Sequence, residues 1–252
     1  MKEQVDILWP ALAAGLLVAA THVPLGIQVL ARGIVFIDLA VAQIAALGVI
    51  VATWLGFEAH GAAVQVSALA AALAGGLLLN WTERLWPDVQ EAVIGVLFVL
   101  AANAAILLLA ANPRGAEHLK DLLTGQILWV HPAALALPAL VSAAILALWF
   151  GLRARIGRTG FYVLFAVAVT LSVQLVGIYL VFATLIIPAL ATSRLEKRRL
   201  LWSYALAALA YLVGLGVSLA SDLPAGPLVV CMFGLLGAVL MVATRRVSMA
   251  HS

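Results

Sequence analysis

Charged residues are scarce in this chain, and their scarcity excludes the ordinary soluble classes of protein. Only 10% of the 252 residues are charged, while 65% are hydrophobic and the mean hydropathy is +1.17. A soluble globular domain usually carries about 25% charged residues. Because so few charges cannot cover a surface in water, the lipid bilayer is the solvent that fits this composition.

Cysteine is almost absent as well. Cys231 is the only one, and it lies in an apolar run, so no disulfide framework can form within the chain. We expect Cys231 to be a small buried residue of the core. The first apolar run is long and shows no clear small-residue cleavage site, so we do not expect a cleavable signal peptide.

Motifs of catalysis are missing too. The sequence contains no HExxH, no GxSxG and no GxxxxGK[ST], so it predicts neither a metalloprotease site nor P-loop hydrolysis of ATP. The net charge of +3 and the pI near 9.4 are compatible with binding nucleic acid. The basic residues nevertheless lie in short clusters between apolar runs, so we expect no enzyme and no nucleic-acid partner.

The hydrophobic residues form eight long runs. These runs cover approximately residues 7–30, 34–56, 61–82, 91–111, 131–152, 161–193, 200–220 and 227–244. A membrane-spanning helix needs about 20 residues, so seven of the runs fit one helix each. The run 161–193 is too long for one helix and contains Gly177 and Pro188. It predicts two short helices, or a helix followed by a re-entrant piece, broken near Gly177.

The basic residues between the runs predict the orientation. Residues 153–158, 194–199 and 245–246 carry most of the arginines and lysines, and such segments stay in the cytoplasm. The run 161–193 must then cross an even number of times. The sequence therefore predicts an all-α, polytopic membrane bundle of about nine helices, formed by one domain over residues 1–252. Its N-terminus is expected outside and its C-terminus inside.

Ionisable residues within membrane segments are costly, so each one is a candidate for a functional site. Asp38 lies early in the second run with Gln43 five residues on, and Glu91 begins the fourth run. The competing interpretation of both acids is a helix N-terminal residue at the interface, favoured by the helix dipole. Asp222, before a proline-rich turn, has a competing role in capping backbone N–H groups. His22 is expected to be a hydrogen-bonded residue of the bundle.

Five stretches carry a family resemblance. They are PLGIQVLARGIVFIDLAVAQIAALGV at 24–49, EAVIGVLF at 91–98, GQILWVHP at 125–132, VGIYLVFATLIIPALATSR at 176–194 and SDLPAGPLVV at 221–230. In this order and spacing they resemble the membrane permease subunits of bacterial zinc, manganese and iron ABC importers, the ABC-3 family. LIIPA and DLPAGP together are the most specific part. The signature residues in this sequence are Gly177, Pro188, Asp222, Pro224, Gly226 and Pro227.

The resemblance implies a type II ABC importer permease in the bacterial inner membrane, crossing it several times. Such a subunit works as a homodimer with two separate cytoplasmic ATPases and an extracytoplasmic metal-binding protein. It opens alternately to the two sides and holds no bound cofactor. Its cargo is a divalent metal ion, with zinc as the first expectation, manganese as the second and iron as a further possibility.

Metal-path residues are carried over from the family to four positions: Asp38, Gln43, Glu91 and Gln126. The family usually has Gly-Asp where this chain has Asp38-Leu39, so the acid is shifted by about 100° around a helix. The family often has histidine at the position of Gln43 and aspartate at that of Gln126. An amide oxygen is a weaker zinc ligand than an imidazole, which weakens the expectation of zinc.

The cytoplasmic connection 151–160 is the largest departure from the family, because related permeases carry a longer ATPase-docking segment there. Arg153, Arg155 and Arg158 are the docking candidates, against the alternative that they only set the topology. The segment 194–199 could dock the ATPase instead. A third alternative is a secondary transporter or channel of the same fold that works without an ATPase, and a fourth is a non-transporting membrane anchor.

Overall fold

The computed structural model describes residues 2–58, 61–109, 123–152, 155–195, 197–221 and 223–249, with side chains between residues 8 and 244. These residues form nine α-helices and no strand. The helices are α1 (Lys2–Arg32), α2 (Ile37–Trp54), α3 (Ala62–Leu85), α4 (Gln90–Leu109), α5 (Ala136–Gly151), α6 (Arg158–Val176), α7 (Ile178–Ala191), α8 (Arg199–Ser221) and α9 (Ala225–Met249). Short 3-10 turns cover Pro87–Val89, Ile127–Trp129 and Pro132–Leu135.

Eight of these helices are long and apolar enough to cross a membrane, which confirms the predicted all-α membrane bundle. The exception is α7, whose 14 residues extend about 21 Å at a rise of 1.5 Å per residue. The predicted break of the run 161–193 at Gly177 is confirmed, because this glycine separates α6 from α7. The two parts are unequal: α6 has 19 residues and is one of the eight long helices.

The helices differ in how much of their surface lies inside the bundle. In α1 and α2, 61% of the apolar segment is buried, and in α6 56%, whereas α4 and α5 bury only 17%. The central helices are therefore α1, α2 and α6, while α4 and α5 present large apolar side chains such as Leu107 and Leu140 to the surroundings. Such faces fit the acyl chains of a bilayer.

The expectation of a buried Cys231 is wrong. This residue lies on α9 and is exposed on the surface of the bundle. An apolar run in a membrane protein does not separate residues of the core from residues that face lipid, because lipid chains are as apolar as the core.

Small residues bring neighbouring helices close together. The backbone of Leu185 in α7 packs against Gly26 of α1, and Val229 of α9 packs against Gly214 of α8. The helices pack in two groups. In the first group, α2 lies against α3 and α4, and α3 also packs on α6. The second group consists of α1, α7, α8 and α9, which pack on one another. Glycine at such positions lets van der Waals contact act between backbones, which is how helices associate within lipid.

Candidate functional site

Asp38 is the most unusual polar residue of the bundle. It lies in the first turn of α2, and its exposed fraction is 0%. Neither of its carboxylate oxygens accepts a hydrogen bond from any described residue. The first-turn position of the competing interpretation is confirmed, but the side chain is enclosed by protein rather than exposed to solvent. A buried carboxylate without partners is costly, so this site favours a bound cation or a proton.

Gln43 also lies inside the bundle, with an exposed fraction of 5%. It follows Asp38 by five residues on α2, which places the two Cα–Cβ directions about 140° apart around the helix axis. The two side chains therefore do not form one cluster. In the described part of the chain, no group of three or more His, Cys, Asp or Glu side chains is placed to hold a metal ion.

Gln126 lies elsewhere. It is exposed and directly precedes the 3-10 turn Ile127–Trp129. Unlike Asp38 and Gln43, Gln126 is therefore not buried inside the bundle. Whether it takes part in a metal path stays a prediction.

Glu91 is brought to the start of α2 from another helix. It lies in the first turn of α4, and its Oε1 accepts a hydrogen bond of 3.2 Å from the backbone N–H of Phe36. Phe36 is the residue that precedes α2, two positions before Asp38. Two acids 53 positions apart in sequence are thus both placed at the N-terminal end of one helix, Asp38 within it and Glu91 through the N–H of Phe36. This is also where a helix dipole favours negative charge.

His22 is a hydrogen-bonded residue of the bundle, as predicted. It is fully buried in α1, and its Nδ1 lies 3.1 Å from the carbonyl oxygen of Val18 and 3.0 Å from the hydroxyl of Thr21. The buried Nε2 makes no hydrogen bond with the described residues.

A second polar group joins the end of α3 to the start of α6. The Nε of Arg158 lies 3.7 Å from Oε2 of Glu83. The hydroxyl of Thr159 accepts hydrogen bonds from the side chains of Asn80, at 3.2 Å, and Arg84, at 3.1 Å. These contacts tie the start of α6 to the end of α3.

The three docking candidates therefore differ. Arg158 is engaged with Glu83, Arg155 is exposed, and Arg153 lies outside the described residues. Sequence reasoning missed the role of Glu83. A signal was available, because Glu83 and Arg158 carry opposite charges and each lies beside the end of an apolar run.

Reversing the charge of Arg158 tests this connection. Arg158→Glu should destabilise the protein by about 1 kcal/mol or less, the usual size of an exposed ion pair. The double variant Glu83→Arg with Arg158→Glu should recover most of this loss. The measurement is thermal unfolding of the detergent-solubilised protein, and Arg155→Glu is the matched control that should leave the melting temperature unchanged. A double variant that is less stable than Arg158→Glu alone would contradict the ion pair.

Three of the stretches that carry the family resemblance come together where Gly125, Gly177 and Gly226 lie, and we call this place the glycine junction. A Cβ added to Gly177 would lie 2.7 Å from the Cα of Gly125, and one added to Gly226 would lie 2.5 Å from the carbonyl oxygen of Thr124. Residues 124–125 are therefore held between the break after α6 and the start of α9. Gly177 has φ +84° and ψ 161°, a conformation that is open essentially to glycine alone.

The prolines of the signature lie at helix ends. Pro227 stands in the first turn of α9, where a missing N–H has no cost, and Pro224 is exposed just before this helix. Asp222 lies outside the described residues. Pro188 is near the end of α7, and its carbonyl oxygen accepts hydrogen bonds from the hydroxyls of Thr192, at 2.7 Å, and Ser203, at 3.3 Å. These bonds connect the end of α7 with the start of α8.

Solved structures resemble this architecture over nearly its whole length. PsaBC from Streptococcus pneumoniae, in complex with a Fab, matches with a TM-score of 0.75 and 19% identity, covering 95% of this chain and 94% of that one. A metal-chelate type ABC transporter in an inward-facing conformation matches with a TM-score of 0.66 and 17% identity, covering 93% and 85%. At these identities the likeness concerns the fold.

Sequence comparison gives the family. No curated protein sequence matches the chain significantly. The model of the ABC 3 transport family matches residues 4–156 and 146–244, which together span most of the chain. The predicted resemblance is confirmed, and the chain belongs to the ABC 3 transport family.

Proposed function

We propose that this chain is the membrane permease of an ABC importer for divalent metal ions, with zinc as the first candidate and manganese or iron as the next. The observation that carries the proposal is Asp38, an enclosed carboxylate whose two oxygens lack hydrogen-bond partners among the described residues. Family membership supports it, as does the similar fold of a metal-chelate type ABC transporter.

The chemistry of the path follows from the cost of dehydration. A divalent cation that enters a dry bundle needs oxygen ligands in place of water, and Asp38 offers both charge and oxygens. Gln43 offers a neutral carbonyl oxygen further along α2, so the ion meets successive weak sites. Weak sites allow release as well as entry. Oxygen donors suit manganese as well as zinc.

The proposed assembly contains more than this chain. Two copies would form the path along their interface, two separate cytoplasmic ATPases would supply the energy, and an extracytoplasmic metal-binding protein would deliver the ion. The exposed apolar helices suit the bacterial inner membrane, with the N-terminus outside and the C-terminus inside. The basic connection between α5 and α6 is the proposed contact with the ATPase. Arg158 would pass its movement to α3 through Glu83.

Metal uptake by intact cells tests the proposal. Deleting the gene in its own host should lower the accumulation of zinc, manganese or iron at limiting concentrations, and the intact gene should restore it. Unchanged accumulation of all three metals would contradict the proposal. Competition by unlabelled zinc, manganese and iron then identifies the cargo.

The second candidate is an ATP-independent transporter or channel of the same fold. The observation that favours it is the short connection between Gly151 and Arg158, where related permeases carry a docking segment. The two functions differ in their need for a partner. An ABC importer should co-purify with an ATPase subunit and lose uptake when the P-loop lysine of that ATPase is replaced. The second candidate should show neither effect.

A further inference from the structure

We propose that Glu91 is a positioning residue of the transport path: its carboxylate caps α2 from the neighbouring helix α4 and thereby fixes the location of Asp38. The role differs from that of a metal ligand, which the family resemblance suggested for this residue. The inference rests on the proposed function only in so far as Asp38 acts on the transported ion.

The start of α2 lacks a cap of its own. The first N–H groups of a helix have no acceptor within the helix and need one from outside it. The N–H of Ile37 finds one locally in the carbonyl oxygen of Ile34, at 3.2 Å, whereas the N–H of Phe36, a half-exposed residue, does not bond to a backbone carbonyl among the described residues. The residue before α2 is Phe36, whose side chain has no acceptor, and no side chain caps this end locally. Asp38 cannot supply the missing acceptor, because its oxygens accept no hydrogen bond from the described residues.

Glu91 supplies an acceptor from outside. Its Oε1 lies 3.2 Å from the backbone nitrogen of Phe36, so the N–H donates to the carboxylate. The carboxylate lies at the positive end of the α2 dipole, which favours negative charge there, while its Oε2 is buried without a hydrogen-bond partner among the described residues. An acceptor of this kind, held by a separate helix, ties the start of α2 to α4.

A second contact holds the same turn from another side. The ring of Phe36 stacks on that of Phe182, with the centroids 6.3 Å apart and the planes within 2°. Phe182 is the fifth residue of α7, the helix that follows the break at Gly177. The turn is therefore anchored to α4 by its amide and to α7 by its ring. Because Asp38 follows Phe36 by two residues, any shift of this turn moves the enclosed carboxylate.

Amide and alanine variants separate the two roles of Glu91. Glu91→Gln keeps an accepting oxygen but loses the charge, whereas Glu91→Ala loses both. If Glu91 positions α2, Glu91→Gln should retain about half or more of the wild-type uptake of radioactive zinc and manganese, while Glu91→Ala should lose about tenfold, the scale of a lost charge-assisted hydrogen bond. Uptake is measured in the host strain with the complete transporter.

A thiol reporter measures the position of residue 38 directly. Asp38→Cys is placed in a Cys231→Ser background, and its rate of labelling by a small maleimide is measured in native membranes. We expect the same labelling rate with glutamate or glutamine at position 91, and a rate changed by about threefold or more with alanine, because an untied helix end samples other positions.

Several outcomes would overturn the inference. One is loss of uptake in Glu91→Gln together with wild-type labelling of the reporter, since the charge would then act on the ion itself. Another is full uptake in Glu91→Ala. If Glu91→Ala does not reach the membrane, Glu91→Gln alone decides by the same criteria. Failure of the proposed function is a separate result, because the wild type itself would then take up none of the three metals. Wild-type uptake by Asp38→Asn would contradict the role of Asp38 on which the inference rests.

Discussion

Replacing Asp38 by asparagine is expected to lower the initial rate of metal uptake by about tenfold or more. Asparagine has nearly the same shape but no charge, so a dehydrated divalent cation loses its anionic partner. Loss of a charge-assisted contact is worth about 1.5–3 kcal/mol, and 1.4 kcal/mol corresponds to about a factor of ten. The measurement is the concentration-dependent uptake of zinc and manganese by cells that express equal amounts of the variant and the wild type.

The same substitution should leave the fold intact. Asp38 accepts no hydrogen bond from the described residues, and burying a neutral amide costs less than burying a carboxylate. The melting temperature of Asp38→Asn should therefore equal or exceed that of the wild type. Asp88→Asn is the matched control, since Asp88 is exposed in the turn before α4 and should transport normally. Normal uptake by Asp38→Asn would contradict the proposed role of this carboxylate.

Replacing Gly177 by alanine is expected to remove most of the folded protein. The new Cβ would meet the backbone of residues 124–125, with the Cα of Gly125 at 2.7 Å, and the backbone conformation itself excludes a side chain. Backbone atoms held between two helix ends cannot yield as a flexible side chain does. The cost should exceed about 4 kcal/mol, a large share of the 5–15 kcal/mol that stabilises a typical fold.

The amount of monodisperse protein after detergent extraction measures this effect. Gly216→Ala is the matched control, because a Cβ at Gly216 in α8 would meet no atom within 4 Å. Alanine is also the better helix former, so this control should be as stable as the wild type or more stable by up to about 1 kcal/mol. Equal yields of Gly177→Ala and Gly216→Ala would show that the glycine junction tolerates a side chain.

Much of the fold could be predicted from the sequence, because hydrophobic runs of about 20 residues identify membrane helices without any tertiary information. The basic loops required an even number of crossings in 161–193, and Gly177 gave the place of the break. The location of Cys231 could not be predicted, since core and lipid select the same residue types. The burial of Asp38 could not be predicted either, for a different reason: an acid in a first helical turn usually reaches water.

The residues of the candidate site could be predicted from the sequence, but the contacts between them could not. Asp38 and Glu91 were named because ionisable groups in a membrane are rare. The contact of Glu91 with the start of α2 depends on the backbone N–H of Phe36, and every residue except proline has such a group. The junction of Gly125, Gly177 and Gly226 was likewise invisible, although each glycine lies in a stretch that carries the family resemblance. A one-dimensional motif does not show which of its residues will touch.

Transport by purified protein tests the proposed function most directly. The permease, reconstituted into liposomes with its ATPase subunit, should accumulate zinc or manganese when ATP is supplied together with the metal-binding protein. Asp38→Asn should retain the ATPase subunit but accumulate about tenfold less metal. ATP-independent accumulation, or no accumulation of zinc, manganese or iron by the wild type, would contradict an ABC metal importer. Equal accumulation by Asp38→Asn and the wild type would contradict a path through Asp38.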